Sequence, residues 1–262
     1  MKLGVAATAP FGADVLERLA SQREVAYLLT RPDRPRGRGR APGPPPAKVV
    51  AERLGIEVRQ PGRLAGFDPD ADAVVVIAYG ALIPEELLDQ ALWINVHPSL
   101  LPRWRGAAPV ERAIMAGDVE TGVTIHRTIA ELDAGPIAAQ RAIPIEREDD
   151  AGAIYAKAAP MAVELLEGVL ANPEFTPQAE EGATYAAKIT AEDRQLDWSR
   201  PAEEIVNHVR ALSPHIGARA ELEGRPVIVW RALVEDGRAV PVEVQPEGKR
   251  RMSYEEFLRG LR

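Results

Sequence analysis

The sequence predicts an α/β protein: a doubly wound, mostly parallel sheet in a large N-terminal domain, followed by a small β-rich domain. Three observations predict it. Apolar runs alternate with helical patterns through the first half, the arrangement of a parallel sheet covered by helices on both faces. Residues 73–77 read AVVVI, a continuous apolar run of the kind buried on both sides. After Gly117 the pattern becomes strand-rich, and the last roughly 60 to 65 residues carry short strand-like pieces, near the lower size for independent stability.

Taken in order, 2–9 reads as a strand and 13–20 as a helix. A second strand is expected at 25–30, a helix at 44–54 behind a proline-rich lead, and a short strand at 56–59. After the AVVVI strand, 84–90 is helical, with Pro84 suited to a first turn. Residues 93–97 form the next strand, and Pro98 ends it. Right-handed crossovers are the default between parallel neighbours. Strands follow at 122–129 and 137–145, then the longest helical pattern at 151–170, where Pro160 is expected to kink or restart the helix. Residues 172–183 have little periodicity and read as a linker. A helix at 201–212, strands at 217–222 and 227–234, and a helix at 253–261 complete the chain. The expected division is 1–182, a linker at 183–200, and a small domain at 201–262.

Bulk properties exclude several classes. Apolar residues are 46% and charged residues 27%, which is ordinary for a globular chain, so disorder is not expected. There is no cysteine, which removes disulfides, thiolate metal sites and cysteine nucleophiles. No signal-peptide pattern and no membrane-spanning run is present, so the expectation is a cytoplasmic protein with no membrane partner. The net charge of −7 repels nucleic acid, and no DNA partner is expected. An RNA partner would need a local basic patch, and 31–40 reads RPDRPRGRGR, with five Arg and one Asp. Neither a phosphate-binding loop nor a dinucleotide glycine fingerprint follows the first strand, and no metal-site spacing is found.

The chemistry concentrates in residues 95–136. Asn95 and His97 stand two apart on a strand, so their side chains share a face. Both lie at that strand's C-terminal end, where open α/β sheets place ligands. An amine attacking an acyl carbon makes an oxyanion and releases a proton. Asn95 can donate to the oxyanion, and His97 titrates near neutral pH and can handle the proton or stabilise the oxyanion as imidazolium. Asp133, in a glycine-containing loop, is the candidate to set the imidazole's state. Alone, an Asn-x-His pair is as well explained by satisfied polar residues at a strand end. His126, on an alternating strand, is expected to be structural or part of a pocket wall, and His208 and His215 structural. Arg103, Trp104 and Arg105 are expected to form a substrate-facing rim, or Trp104 simply to pack the loop.

The run NVHPSLLPRWRGAAP (95–109), followed by GDVETGVTIH (117–126) and ELDAGPI (131–137), resembles the folate-dependent formyltransferase family, and the resemblance extends over most of 1–212. It implies a Rossmann-like catalytic domain in which Asn95, His97 and Asp133 form the catalytic set. VVIAYGALIP (75–84) resembles the family's folate wall, which implies that Ile77, Ala78, Tyr79, Gly80, Ala81, Leu82 and Ile83 contact the pterin, largely through backbone. Ala130 and Leu132 would close over it. Apart from the resemblance, the Ser99 hydroxyl is expected either to bind the reacting groups or to cap a helix or turn. The implied formyl donor is 10-formyltetrahydrofolate, with no metal. The first turn departs from the family's Gly-Thr-Pro, reading Ala7-Thr8-Ala9-Pro10.

Within the family, TRPDRPRGRGRAPGPPPAK (30–48) resembles the loop that initiator-tRNA formyltransferases insert after the second strand. It implies an initiator Met-tRNA acceptor, with Arg31, Arg34, Arg36, Arg38 and Arg40 on phosphates. ATYAAKITAEDRQLDWSRPAEEI (183–205) resembles the family's interdomain hinge, shared with sugar formyltransferases. The family's C-terminal domain is an OB-type barrel. Between Val234 and Val242 this chain has only EDGRAVP, so a reduced, incomplete OB-like domain is expected, with weaker hold on tRNA. A monomer is expected. The competing readings are a sugar-nucleotide N-formyltransferase, a formyltetrahydrofolate hydrolase and a non-catalytic folate- or RNA-binding protein.

Overall fold

The computed structural model describes residues 1–35 and 42–261. Strand β1 (Leu3–Ala7) is apolar and buried at every position, as a strand covered on both faces must be. Helix α1 (Pro10–Ala20) begins on a proline, whose missing N–H has no helical partner to lose in the first turn. It returns the chain to β2 (Tyr27–Leu29). β3 (Arg34–Pro35) and β4 (Pro42–Gly43) pair antiparallel. Helix α2 (Pro46–Leu54) stops at Gly55, which takes the left-handed φ of 72° that ends helices readily. β5 (Glu57–Arg59), β6 (Ala73–Ile77), α3 (Glu85–Leu88) and β7 (Leu92–His97) follow, then β8 (Arg105–Gly106), α4 (Pro109–Met115), β9 (Glu120–Arg127) and β10 (Ile137–Pro144). The chain continues through α5 (Ala151–Ala171), β11 (Tyr185–Ala186), α6 (Ala202–Leu212), β12 (Ala218–Leu222), β13 (Arg225–Glu235), β14 (Arg238–Pro246), β15 (Met252–Ser253) and α7 (Tyr254–Arg259).

Seven strands form one sheet in the order β10-β9-β7-β6-β1-β2-β5. β1 pairs in parallel with β2 and β6, β2 with β5, and β6 with β7, whereas β9 runs antiparallel to β7. The mostly parallel, Rossmann-like sheet expected from the sequence is the one found. From β1 the chain builds outward through β2 and β5, then reverses to β6 and β7 on the other side. Ligand crevices in open α/β sheets lie at the carboxyl ends of the strands that flank such a reversal. Here those ends are Ala7 and Ile77, with His97 on the next strand.

The chain divides into two compact units. One comprises Met1–Arg105, Gly122–Ala142 and Ala156–Thr184; the other comprises Gly106–Thr121, Ile143–Tyr155 and Tyr185–Arg262. In the first, Tyr27, Leu29, Val74, Val76, Leu87 and Trp93 belong to one buried cluster. Gly4 lacks a Cβ because one would stand 2.5 Å from the Tyr27 ring and hydroxyl. The Tyr27 hydroxyl is buried with no hydrogen-bond partner among the described residues, and burial pushes its pKa up to about 12. An unsatisfied buried hydroxyl costs about 1–3 kcal/mol. Tyr27→Phe keeps the ring beneath the Arg59 guanidinium, 3.9 Å from the centroid, and removes that penalty. The variant is expected to be more stable by roughly 1 kcal/mol in urea denaturation.

In the second unit, β12-β13-β14-β15 make an antiparallel sheet. Val209 and Leu212 of α6 cluster there with Val227, Val229, Val244 and Phe257. Arg112 of α4 grips Asp193 with two bonds of 3.0 and 2.9 Å, which hold that carboxyl well below its usual range.

Two expectations are corrected. EDGRAVP is mostly strand: only Asp236 and Gly237 turn, at φ 47° and 73°, and Glu235 pairs with Arg238 across them. Asp-Gly is the favoured pair for such a two-residue hairpin. Pro160 neither breaks nor restarts α5, which runs unbroken over 21 residues. Proline leaves the carbonyl four residues back without its helical donor, and Ala156 is exposed, so water can take that donor's place. No described helix is long and apolar enough to cross a membrane.

Candidate active site

β7 carries Asn95 and His97 to the carboxyl edge of the sheet on one face. The antiparallel register of β9 sets His126 opposite Asn95 and Thr124 opposite His97. The loop between β9 and β10 supplies Asp133, a residue in the left-handed region at φ 49°. Its carboxylate joins the others. Oδ1 accepts from Asn95 Nδ2 at 3.1 Å and lies 3.6 Å from His126 Nε2, while Oδ2 lies 3.6 Å from His97 Nδ1. Gly135 allows the loop this path, since a Cβ there would overlap the Arg127 carbonyl oxygen.

Hydrogen bonds fix the tautomers of both imidazoles. His97 Nε2 is 2.8 Å from the Trp104 carbonyl oxygen, which can only accept, so Nε2 carries the proton. In the neutral ring Nδ1 is then the basic atom, and it faces Asp133. His126 Nδ1 is 3.0 Å from the Arg127 carbonyl oxygen and must donate. In the neutral ring its Nε2 is then the acceptor for Asn95 Nδ2 at 3.0 Å. Both Nδ2 hydrogens of Asn95 are thus engaged, one by Asp133 and one by His126.

His97 is 4% exposed. Burial pushes its pKa below the usual histidine value. The Asp133 carboxylate opposes that shift, His126 adds to it, and the Trp104 carbonyl opposes it. At neutral pH the ring is neutral, with a proton-accepting Nδ1 beside a carboxylate that would stabilise the imidazolium.

The segment after β6 passes twice through the left-handed region. Ala78 and Gly80 take φ 45° and 78°, and a Cβ on Gly80 would meet nothing within 4 Å. Ile77, Tyr79 and Ile83 are buried, Ala78 and Gly80 exposed, Ala81 half-buried, and Leu82 is 76% exposed. The Thr8 hydroxyl donates to the Tyr79 carbonyl at 2.8 Å, tying this segment to the end of β1. On the β9–β10 loop, Ala130 and Leu132 are exposed.

Other candidates fall elsewhere. Ser99 is fully buried, and its hydroxyl donates to the Arg103 carbonyl at 2.7 Å, so it closes the loop's own turn and has no proton left for a ligand. Arg105, expected on a rim, is 2% exposed and bonds Gln178 and Glu180; burying a guanidinium is tolerable because those partners satisfy it. Arg103 lies over the Trp104 ring, 4.5 Å from its centroid. Arg31 precedes the β3–β4 ribbon and Arg34, exposed, lies on β3 opposite Gly43; Arg36, Arg38 and Arg40 lie outside the described residues. Asp33, the one acid in that stretch, is occupied by Lys48 at 2.9 Å and Gln60 at 2.8 Å. Sequence reasoning missed the main-chain role of Trp104 and the side chains of Gln178 and Thr184, which no periodicity marks. The Asn95–His126 contact could have been found by pairing NVH with TIH antiparallel.

Comparison with known proteins gives a consistent result. Residues 2–170 match the family model described as formyl transferase, and 188–241 match that of the formyl transferase C-terminal domain. The methionyl-tRNA formyltransferase of Ruegeria pomeroyi is 41% identical over 257 residues, covering 93% of this chain and 85% of the relative. That of Methylobacterium nodulans is 41% identical over 283 residues, covering 94% and 91%. Among solved structures, the methionyl-tRNA formyltransferase from Clostridium thermocellum has a TM-score of 0.67 at 16% identity, covering 94% of this chain and 98% of that one. A variant of HypX from Aquifex aeolicus has a TM-score of 0.71 at 19% identity; this chain is covered in full but spans only 47% of that longer one. At those identities the likeness speaks for the fold.

Proposed function

The chain belongs to the formyl transferase family, and from that premise we propose that it moves the formyl group of 10-formyltetrahydrofolate to the amine of initiator methionyl-tRNA. The observation that carries the assignment of residues is the single carboxylate of Asp133, whose two oxygens face Asn95 at 3.1 Å and His97 at 3.6 Å. Asn95, His97 and Asp133 form the catalytic set.

The folate supplies an activated formyl group. The segment from Ile77 to Ile83 fits it, because the exposed residues Ala78 and Gly80 beside an exposed Leu82 would offer polar edges and an apolar face to a flat heterocycle. Ala130 and Leu132 close over the same ligand. As the methionyl amine attacks, negative charge develops on the formyl oxygen, and Asn95 turns the N–H held by His126 towards it. Asp133 keeps the other. His97 Nδ1 takes the proton released by the attacking nitrogen, and Asp133 stabilises the imidazolium. As the tetrahedral intermediate collapses, the bond from the formyl carbon to N10 breaks and the proton held on His97 passes to N10, which leaves as tetrahydrofolate. Arg31, Arg34, Arg36, Arg38 and Arg40 hold tRNA phosphates. The catalytic domain spans 1–182 and the small domain 201–262, with 183–200 linking them.

The pH dependence of formyl transfer tests the assignment. His97 works as the neutral base, so the rate falls as pH drops through its pKa, which lies below the ordinary histidine value. Asp133 raises that pKa, so Asp133→Asn lowers it further. The acid limb of kcat/KM should move to lower pH while kcat falls. An acid limb that stays in place in the variant contradicts the pairing.

A further inference from the structure

Gln178 lies in a stretch without periodicity, between the two segments that match the family models. From 171 to 182 every residue is exposed except Phe175 and Gln178, which are half-buried. Its side-chain amide is fully used. Nε2 donates to the carbonyl oxygens of Asp133 at 2.8 Å and Gly135 at 2.6 Å. Oε1 accepts from the Arg105 guanidinium, at 3.0 Å from Nη2 and 3.3 Å from Nε. The amide has one possible orientation: reversed, it would face two carbonyls with an oxygen and a guanidinium with an NH2.

The segment that bears Gln178 is pinned on both sides. Thr176 exchanges two backbone bonds of 2.8 Å with Ile137, just beyond the Asp133 loop. Thr184 accepts the Arg105 N–H on its carbonyl and the Trp104 N–H on its hydroxyl, each at 2.9 Å. Trp104 is also the residue whose carbonyl accepts the hydrogen bond from His97 Nε2. Asp133 sits in the left-handed region, sparsely populated by residues with a Cβ although Asp enters it more readily than most. Two bonds from one amide, to the Asp133 carbonyl and to that of Gly135, hold the loop in that path.

We propose that Gln178, oriented by the buried Arg105, is a positioning residue that sets the Asp133 carboxylate against His97 and Asn95. The proposal rests on the reading of Asp133 as a member of the catalytic set. Gln178 touches no reacting atom; it acts through the backbone of the residue that tunes His97.

The test compares the wild type with Gln178→Met, which keeps the stem and loses both ends of the amide, with Arg105→Lys, which keeps the charge and loses the fork, and with Asp133→Asn. The control is Glu180→Gln, since Glu180 meets the same Arg105 at 3.3 Å but is 80% exposed and is expected to change nothing. The first readout is the titration of the His97 ring by NMR, which needs no substrate. The titratable groups facing His97 are Asp133 and His126, so a displaced Asp133 leaves burial and His126 to act on it. Gln178→Met and Arg105→Lys should lower the His97 titration point in the direction of Asp133→Asn, by a smaller amount. The second readout is formyl transfer, where kcat should fall roughly tenfold with little change in the folate KM. If Asp133→Asn moves His97 and neither Gln178→Met nor Arg105→Lys does, the positioning role is overturned; a loss of thermal stability with His97 unmoved overturns it equally. If Asp133→Asn itself leaves His97 in place, the catalytic-set reading fails and takes this inference with it.

Discussion

His97→Ala should lower kcat for formyl transfer by roughly 10²- to 10⁴-fold, the usual contribution of a positioned general base. Folate binding should survive, because the segment from Ile77 to Ile83 follows a different strand, and the variant removes neither its buried residues nor its link to Thr8. The fold should survive too. The variant loses the bond to the Trp104 carbonyl and a 3.6 Å contact with Asp133, about 1–3 kcal/mol for a group left unsatisfied. Stopped-flow transfer with saturating folate, beside fluorescence titration of folate binding, separates the two effects. A variant that binds folate and transfers formyl at the wild-type rate removes His97 from the chemistry.

Replacing Arg34, Arg36, Arg38 and Arg40 together with Ala should lower kcat/KM for initiator methionyl-tRNA about 100-fold and leave folate binding unchanged. The protein carries a net charge of −7, so its attraction to RNA has to be local. Asp33, which would offset the arginines, is held by Lys48 and Gln60, bonds that keep its carboxyl below the usual range. Each phosphate contact releases counterions. Losing four should make the dependence of log KM on log salt shallower by roughly 3. An unchanged salt slope would place the tRNA phosphates elsewhere on the chain.

The parallel half of the sheet was legible because its signal is local. Residues 73–77 are apolar at every position, and the strand has those bounds. The shared face of Asn95 and His97 follows from strand periodicity alone. What escaped was short or non-periodic. Helix α4 has seven residues, fewer than two full turns, and so leaves no amphipathic repeat to count. β14 was hidden because Asp236-Gly237 was read as part of a longer connection rather than as a hairpin turn. Arg105 reads as part of a rim beside the Asn95–His97 strand; its burial rests chiefly on Gln178, 73 residues away in sequence. The bonds from Gln178 to the Asp133 loop join a side chain to main-chain carbonyls, and carbonyls carry no sequence identity to read. The small domain's strands are less legible: EDGRAVP reads as a bare connection between Val234 and Val242, whereas β13 and β14 run up to its Asp-Gly turn as paired strands.

The central claim is tested most directly by incubating the purified chain with 10-formyltetrahydrofolate and initiator methionyl-tRNA and measuring formyl-methionyl-tRNA, with His97→Ala alongside. The account predicts formylated tRNA from the wild type and its loss in the variant. Formate released without any acceptor, or formyl transfer to an amino-sugar nucleotide with none to tRNA, would contradict it.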